Sequence, residues 1–370
     1  MTKPDNKDTS RRLITCVATL LLLGCTLPAW PASSDEGRPS GGVRSHHLRE
    51  AAKYRLEFDN DAFVGSDNQF SSGWSIQYHS AIAANWRSLD TPADWLAGFG
   101  EHLPGLQWAR LVKRFNMSVG QIIQTPANLS ERELIANDVP YAAVIATQAA
   151  WLAYSDVEFR GFEISVGIVG PAALGEPSQN LVHRLIGINE ARGWDNQLKS
   201  EPVFNVNYMR KKKFYRYRGT SGFSGDAALD GHVALGTLFT LAALRIETRF
   251  GRNIPGGFAY SPDPIGHSMI YDAGLAPASP SRPSLYGAVS VSGLAVAHNL
   301  LLDGNVFQRS HRIEKEPFLA MLTLGIHYET PDWGAHMEWT FTTDTVETAS
   351  LNAAEDADNT FGTLMFEWKL

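Results

Sequence analysis

The chain reads as an all-β protein, a transmembrane antiparallel β-barrel of about twelve strands with a short helix in an outward loop. Three observations predict this. Apolar residues recur with a period of two in segment after segment, as at Tyr54, Leu56, Phe58 and at Phe162, Ile164, Val166, Ile168. After residue 34 no stretch approaches the roughly 20 consecutive apolar residues that a spanning helix needs. The final segment alternates throughout, with Leu364, Phe366, Trp368 and Leu370 set against Thr363, Met365, Glu367 and Lys369. A barrel needs such a strand, because its sheet must close on itself.

Composition agrees with a wall between lipid and a wet interior. Only 19% of the 370 residues are charged, while aromatics reach 11% and include ten Trp. The formal net charge of -7 argues against nucleic acid as a partner.

Residues 1–34 read as a signal peptide: Arg11 and Arg12 precede the apolar run Leu13 to Leu23, and the small residues Ala32-Ser33-Ser34 follow. Both cysteines, Cys16 and Cys25, fall in it, so the expected mature chain has neither disulfide nor thiolate. Residues 35–51 form a polar, flexible N-terminal arm, and 52–370 the barrel with an active site at its rim.

Taken in order, the strands are expected near 53–59, 73–81, 114–124, 141–152, 157–169, 202–214, 226–237, 240–251, 284–297, 317–328, 334–344 and 361–370. An even number puts both termini at the periplasmic end. Connections 60–72, 125–140, 170–201, 238–239, 298–316 and 345–360 then face outward. Connections 82–113 and 252–283 are long for periplasmic turns, and only a small helix such as Trp95 to Phe99 is foreseen there.

The unusual polar residues gather in the outward connections. Asn60-Asp61 ends the first strand, followed by Asp67 and by Phe70-Ser71-Ser72-Gly73. These oxygens suit a hard cation, although the same residues also favour ordinary turns. In loop 170–201 the stretch Ser178 to Ile186 reads as a helix with Ser178 as a candidate N-cap. Gln179 and His183 are four apart and share a face, where an imidazole could serve as general base or stand as a plain surface residue. Leu302-Asp303-Gly304-Asn305 is a turn first and a candidate site second. Arg210-Lys211-Lys212-Lys213 with Arg216 and Arg218 reads as a solvated periplasmic turn. No Gly-x-Ser-x-Gly nucleophile, zinc helix, phosphate loop or dinucleotide fingerprint is present.

Together these segments resemble the outer-membrane lipid A 3′-O-deacylase family. The resemblance runs in order through Asn60-Asp61, Phe70 to Gly73, Asp138-Val139-Pro140-Tyr141-Ala142, Gly170-Pro171, Gly175-Glu176, Gln179-Asn180 with His183, Gly193 to Gln197, and Leu302 to Asn305. It implies hydrolysis of an ester-linked acyl chain of lipid A, the 3′-O-linked one, with Ca2+ stabilising the oxyanion and a histidine activating water. By position His183 would be the base and Asp61 the calcium ligand, with Asn60, Ser71 and Gln179 lining the site. The implied location is the bacterial outer membrane, with the site facing the outer leaflet. The implied partners are lipopolysaccharide and the barrel assembly machinery. Two positions depart from the family pattern: Ser71 stands where Thr is usual, and Asn189, beside Glu190, stands where an acid is expected. A basic pair in the loop before the fourth strand is also missing, leaving Arg132. The competing readings are an outer-membrane phospholipase A-type esterase, which needs a framed His and Ser, and a porin or structural barrel.

Overall fold

The structure is a computed structural model that describes residues 50–64, 70–108, 110–186, 190–219, 222–258, 271–347 and 357–370. The expected signal peptide, nearly all of the expected arm, Asp67 and Asn189 lie outside these residues. The barrel strands are β1 (Lys53–Asn60), β2 (Phe70–His79), β3 (Val112–Gln124), β4 (Ala142–Tyr154), β5 (Glu158–Val169), β6 (Glu201–Arg218), β7 (Phe223–Gly236), β8 (Phe239–Arg252), β11 (Ser284–Asn299), β12 (Phe318–Glu329), β13 (Trp333–Thr342) and β14 (Phe361–Lys369). A two-residue ribbon, β9 (Gly256–Gly257) and β10 (Gly274–Leu275), stands apart from the wall. The twelve wall strands pair with sequence neighbours, and β14 pairs with β1 to close the ring, so no edge is left open.

The alternation has a simple physical sense. Along β1, Tyr54 and Phe58 point outward and stay exposed, while Lys53, Arg55, Glu57 and Asp59 point inward and are buried. Lipid accepts the first set, and the lumen must neutralise the second. It does so by pairing: Lys53 and Arg55 meet Glu367 at 2.8 and 3.0 Å, and Lys211 meets Glu247 at 2.7 Å. The basic run of β6 is therefore no turn. Lys211 and Lys213 point inward into ion pairs, whereas Arg210 and Lys212 point outward on the strand itself.

The start of β1, the end of β14, the short turns 155–157 and 330–332 and the ends of β6 and β7 that follow each other share one end, the periplasmic one by the topology of such barrels. The two long connections at this end have distinct tasks. In 80–111 the helix α1 (Asp94–Gly100) lies against the outside of the wall, where Trp151 Nε1 donates to Leu96 O at 2.7 Å and Phe99 packs on Trp151 at 5.0 Å. In 253–283 the ribbon turns into the lumen. Phe258, Tyr271, Ala273 and Leu275 pack there on Tyr154, Phe159 and Met209. Gly161 leaves room for the ring of Tyr271, since a Cβ would stand 2.6 Å from it. Asp272 anchors the ribbon, 2.7 Å from Lys53 Nζ and 3.1 Å from Arg114 Nη1. At the opposite mouth a one-turn helix, α3 (Leu300–Asp303), places Leu300 and Leu301 on Leu238, Leu241, Leu294 and Met321. Among the described residues, the ribbon and α3 thus pack against the inner wall at opposite ends.

Candidate functional site at the outer rim

The first half of the site is the β1–β2 hairpin. Asn60 ends β1 on the outward-facing row and registers with Ser72; Asp61 opens a single 3-10 turn, Asp61–Val64. Phe63 fixes that turn to β14, where a Cβ on Gly362 would meet its side chain at 2.6 Å. Phe70 pairs with Gln124 and Ser72 with Ile123, so Ser71 is the extra residue of a β-bulge. Bulges bend a strand locally and recur beside active sites.

The second half is loop 170–201, which folds back over the outside of the wall. Its helix α2 spans Gly175–Ile186 and touches β3 and β4. The helix starts earlier than the sequence implied. Ser178 is not its cap, because the Ser178 N–H already donates to Leu174 O at 3.2 Å. Glycine at 175 is a steric requirement: a Cβ would stand 2.3 Å from Ala143 Cβ and 2.7 Å from the Trp194 ring. Trp194 is buried against Tyr141, ring centroids 5.1 Å apart, and its Nε1 donates to Gln179 Oε1 at 3.2 Å. Gly193-Trp194 thus seats the helix. His183 follows Gln179 by one turn and is half-buried. The Arg184–Glu190 ion pair, 2.7 Å, lies on the exposed side.

Beneath this roof sits a polar pair that the sequence reading missed. Trp74 Nε1 donates to Gln121 Oε1 at 3.0 Å, and Gln121 Nε2 donates to Ala173 O at 2.6 Å. Both side chains belong to the lipid-facing row, yet Gln121 is only 3% exposed. An amide between Val119 and Ile123 on the outward row of β3 was the available signal.

The two halves share one level of the wall. Asn60, Ser72, Ile123 and Ala143 register in a single row across β1 to β4, and Gly175 rests on Ala143. Three inter-strand steps put Asn60 roughly 14 Å from the seat of α2. His183 lies about 12 Å along the helix from Gly175. The structure thus joins Asn60 and Asp61 to the bulge at Ser71, and Gln179 to His183, with β3 between the groups.

Other sequence candidates are structural. Asp303 accepts from Lys315 Nζ at 2.8 Å and from Asn299 N at 2.9 Å, and stands 3.1 Å from His298 Nδ1. Burial alone would raise its carboxyl, but the bonds from His298 and Lys315 outweigh it and hold the pKa at about 2. Asn305 exchanges two 2.8 Å bonds with the backbone of Lys199, and Glu201 receives Val306 N and Phe307 N at 2.7 and 3.0 Å. These contacts brace the end of the helix-bearing loop against the loop after β11. Asp138 closes its own turn through Ala127 N, at 2.9 Å. Among the described residues, no three His, Cys, Asp or Glu side chains gather as a metal cluster.

The family model described as outer membrane protein LpxR matches residues 16–370. LpxR from Salmonella typhimurium superimposes with a TM-score of 0.66 at 14% identity, covering 86% of this chain and 100% of that one. The β domain of the Bordetella autotransporter BrkA gives a TM-score of 0.40 at 6% identity, covering 86% and 99%. No curated protein sequence matches the chain.

Proposed function

The chain belongs to the outer membrane protein LpxR family, and from that premise we propose that its outer rim hydrolyses an ester-linked acyl chain of lipid A, the 3′-O-linked one. The observation that carries this reading is the buried polar pair on the lipid-facing wall, covered by the loop that bears α2. There the loop that bears α2, with Gln179 and His183, covers Gln121 through Ala173 O; Trp74 donates to Gln121, and Asn60 registers with Ser72 one outward row further up. A substrate with acyl tails in the outer leaflet and a polar sugar above it has both its parts matched at such a place. A lumen site would not offer the tails any apolar path.

In this reading His183 takes a proton from a water molecule, whose oxygen attacks the ester carbonyl carbon. The tetrahedral adduct collapses with cleavage of the acyl C–O bond, and the protonated imidazole returns the proton to the sugar oxygen. The products are a free fatty acid and a sugar hydroxyl. Gln179, held by Trp194, fixes the face from which His183 works. Asn60 and Asp61 contribute an amide and a carboxylate oxygen with no thiolate nearby, a donor set that fits calcium better than zinc. Asp61, with Asn60, would hold the ion, and when bound it supplies positive charge to the carbonyl oxygen.

Mass spectrometry of lipid A from cells with and without the protein tests the reading. Loss of one ester-linked acyl chain is expected, and the purified barrel should stop cleaving in excess chelator and recover with calcium. Unchanged lipid A alongside cleaved phospholipid would point instead to a phospholipase, and unchanged lipid of both kinds would remove the enzyme reading.

A further inference from the structure

The lipid-facing wall is not uniformly convex. Near the periplasmic end, across β8, β11, β12 and β13, it carries a groove of about 1140 Å³ including its open side. Its floor is Gly287, where a Cβ would meet the Phe250 ring at 2.8 Å. The register sets its depth. Arg252, Leu285 and Tyr328 form one row at the rim; Phe250, Gly287 and Ile326 form the next; Thr248, Val289, Leu324 and Trp339 the third. Four residues along a strand make the groove roughly 13 Å long. Its lining is almost wholly apolar, with Arg252 as the charged group at its mouth.

The level of that mouth is fixed independently. Tyr328, in the row of Arg252, packs on Trp333 at 5.5 Å, and Trp333 registers beside Trp368. Exposed aromatics clustered in this way mark the membrane–water interface. The Arg252 side chain is exposed and, among the described residues, makes no hydrogen bond or ion pair, in contrast to Arg249, three residues back and facing the lumen, which pairs with Asp226 at 2.6 Å. An outward cation above an apolar channel, at headgroup level, complements an anionic headgroup with its tail below.

We infer that this groove binds a phospholipid of the periplasmic leaflet with an anionic headgroup, one acyl chain lying over Gly287 and the phosphate on Arg252. The inference does not depend on the activity at the opposite rim. Native mass spectrometry of the delipidated barrel in detergent, with phosphatidylglycerol or phosphatidylcholine of identical chains added, tests it. One retained phosphatidylglycerol per barrel is expected, with retention about tenfold above phosphatidylcholine. Arg252→Gln should bring the two lipids level, and Ile326→Trp, which fills the groove from the lipid side, should remove retention of both. Leu324→Trp serves the same purpose from the next row if Ile326→Trp fails the heat-modifiable mobility check. Equal retention of the two lipids by the unaltered barrel would mean ordinary annular lipid and overturn the inference. So would unchanged retention in the groove-filling variants, or a dimer in which a second copy occupies the groove.

Discussion

Replacing Asp272 by Asn should release the ribbon from the lumen without unfolding the barrel. The carboxylate stands 2.7 Å from Lys53 Nζ and 3.1 Å from Arg114 Nη1, with Arg55 Nη2 and His79 Nδ1 at 3.9 Å. Removing one partner of a buried ion pair costs about 3–5 kcal/mol, because a charge is left uncompensated. Lys53 and Arg55 retain Glu367 at 2.8 and 3.0 Å, so their loss is partial. Arg114 retains the carbonyls of Ser80 and Ala51, at 2.8 and 3.1 Å, the Tyr154 hydroxyl and the nearby charge of Glu50. The cost therefore sits at the low end, about 3 kcal/mol, which converts to roughly a hundredfold rise in the undocked fraction of the ribbon. Single-barrel recordings in a planar bilayer read that fraction directly. The unaltered barrel should be silent and Asp272→Asn should show brief openings, with protease cleavage within 253–283 rising in parallel. If the variant stays silent and resists protease like its parent, the ribbon is not held by this carboxylate and the electrostatic reasoning fails.

Three further outcomes are expected. His183→Ala should lower turnover on lipid A by about 10²–10⁴-fold with a folded barrel, as loss of a general base does; calcium should rescue Asp61→Ala in part and His183→Ala not at all, and wild-type turnover in His183→Ala would clear that residue of the chemistry. Trp194→Ala removes the seat of α2 at a local cost of about 3 kcal/mol, so turnover should fall at least tenfold while heat-modifiable mobility is unchanged; undiminished turnover would show that the helix needs no such seat. Asp303, whose carboxyl falls on folding from near 4 to about 2, stabilises its loop fully above pH 4 and loses that contribution as pH drops towards 2. After discounting for its exposure the effect is about 1 kcal/mol. Pepsin should nick residues 298–316 faster at pH 2 than at pH 4, and Asp303→Asn should flatten that difference.

The wall was legible because lipid imposes the same rule on every strand. All twelve strands lie within a few residues of the alternation that announced them, and even the small helix at Trp95 to Phe99 is present as α1. What alternation does not carry was read less well. The inward set of β1, four consecutive charged positions on one face, is informative only once its partners on β14 and on the ribbon are known. Residues 253–283 have no period at all, since a lumen insert is shaped by the wall around it rather than by its own repeat. The bulge at Ser71 arises from the register of two neighbours, Gln124 and Ile123, which local sequence does not specify. Asp303 and Asn305 drew attention as polar groups in an outward turn, and their oxygens turned out to be engaged with His298, Lys315 and Lys199. At the rim, the helix that carries Gln179 and His183 is legible from its spacing, while Gln121 is inconspicuous because it sits inside a strand.

The pairing of β1 with β14 also bears on how such a chain reaches its native state. Arg55 and Glu367, partners at 3.0 Å, are separated by 312 positions in the sequence. Local hairpins along the wall have no such distance to cross and can zip early, but the seam between the outermost strands waits for the longest search in the molecule. Until it forms, two strand edges stand open and Lys53 and Arg55 lack their counterion Glu367. The native seam is thus a kinetic checkpoint as well as a bond: a substitution at Glu367 should slow assembly more than it weakens the finished barrel, and the delay should appear as lingering heat-insensitive monomer rather than as a lowered unfolding temperature.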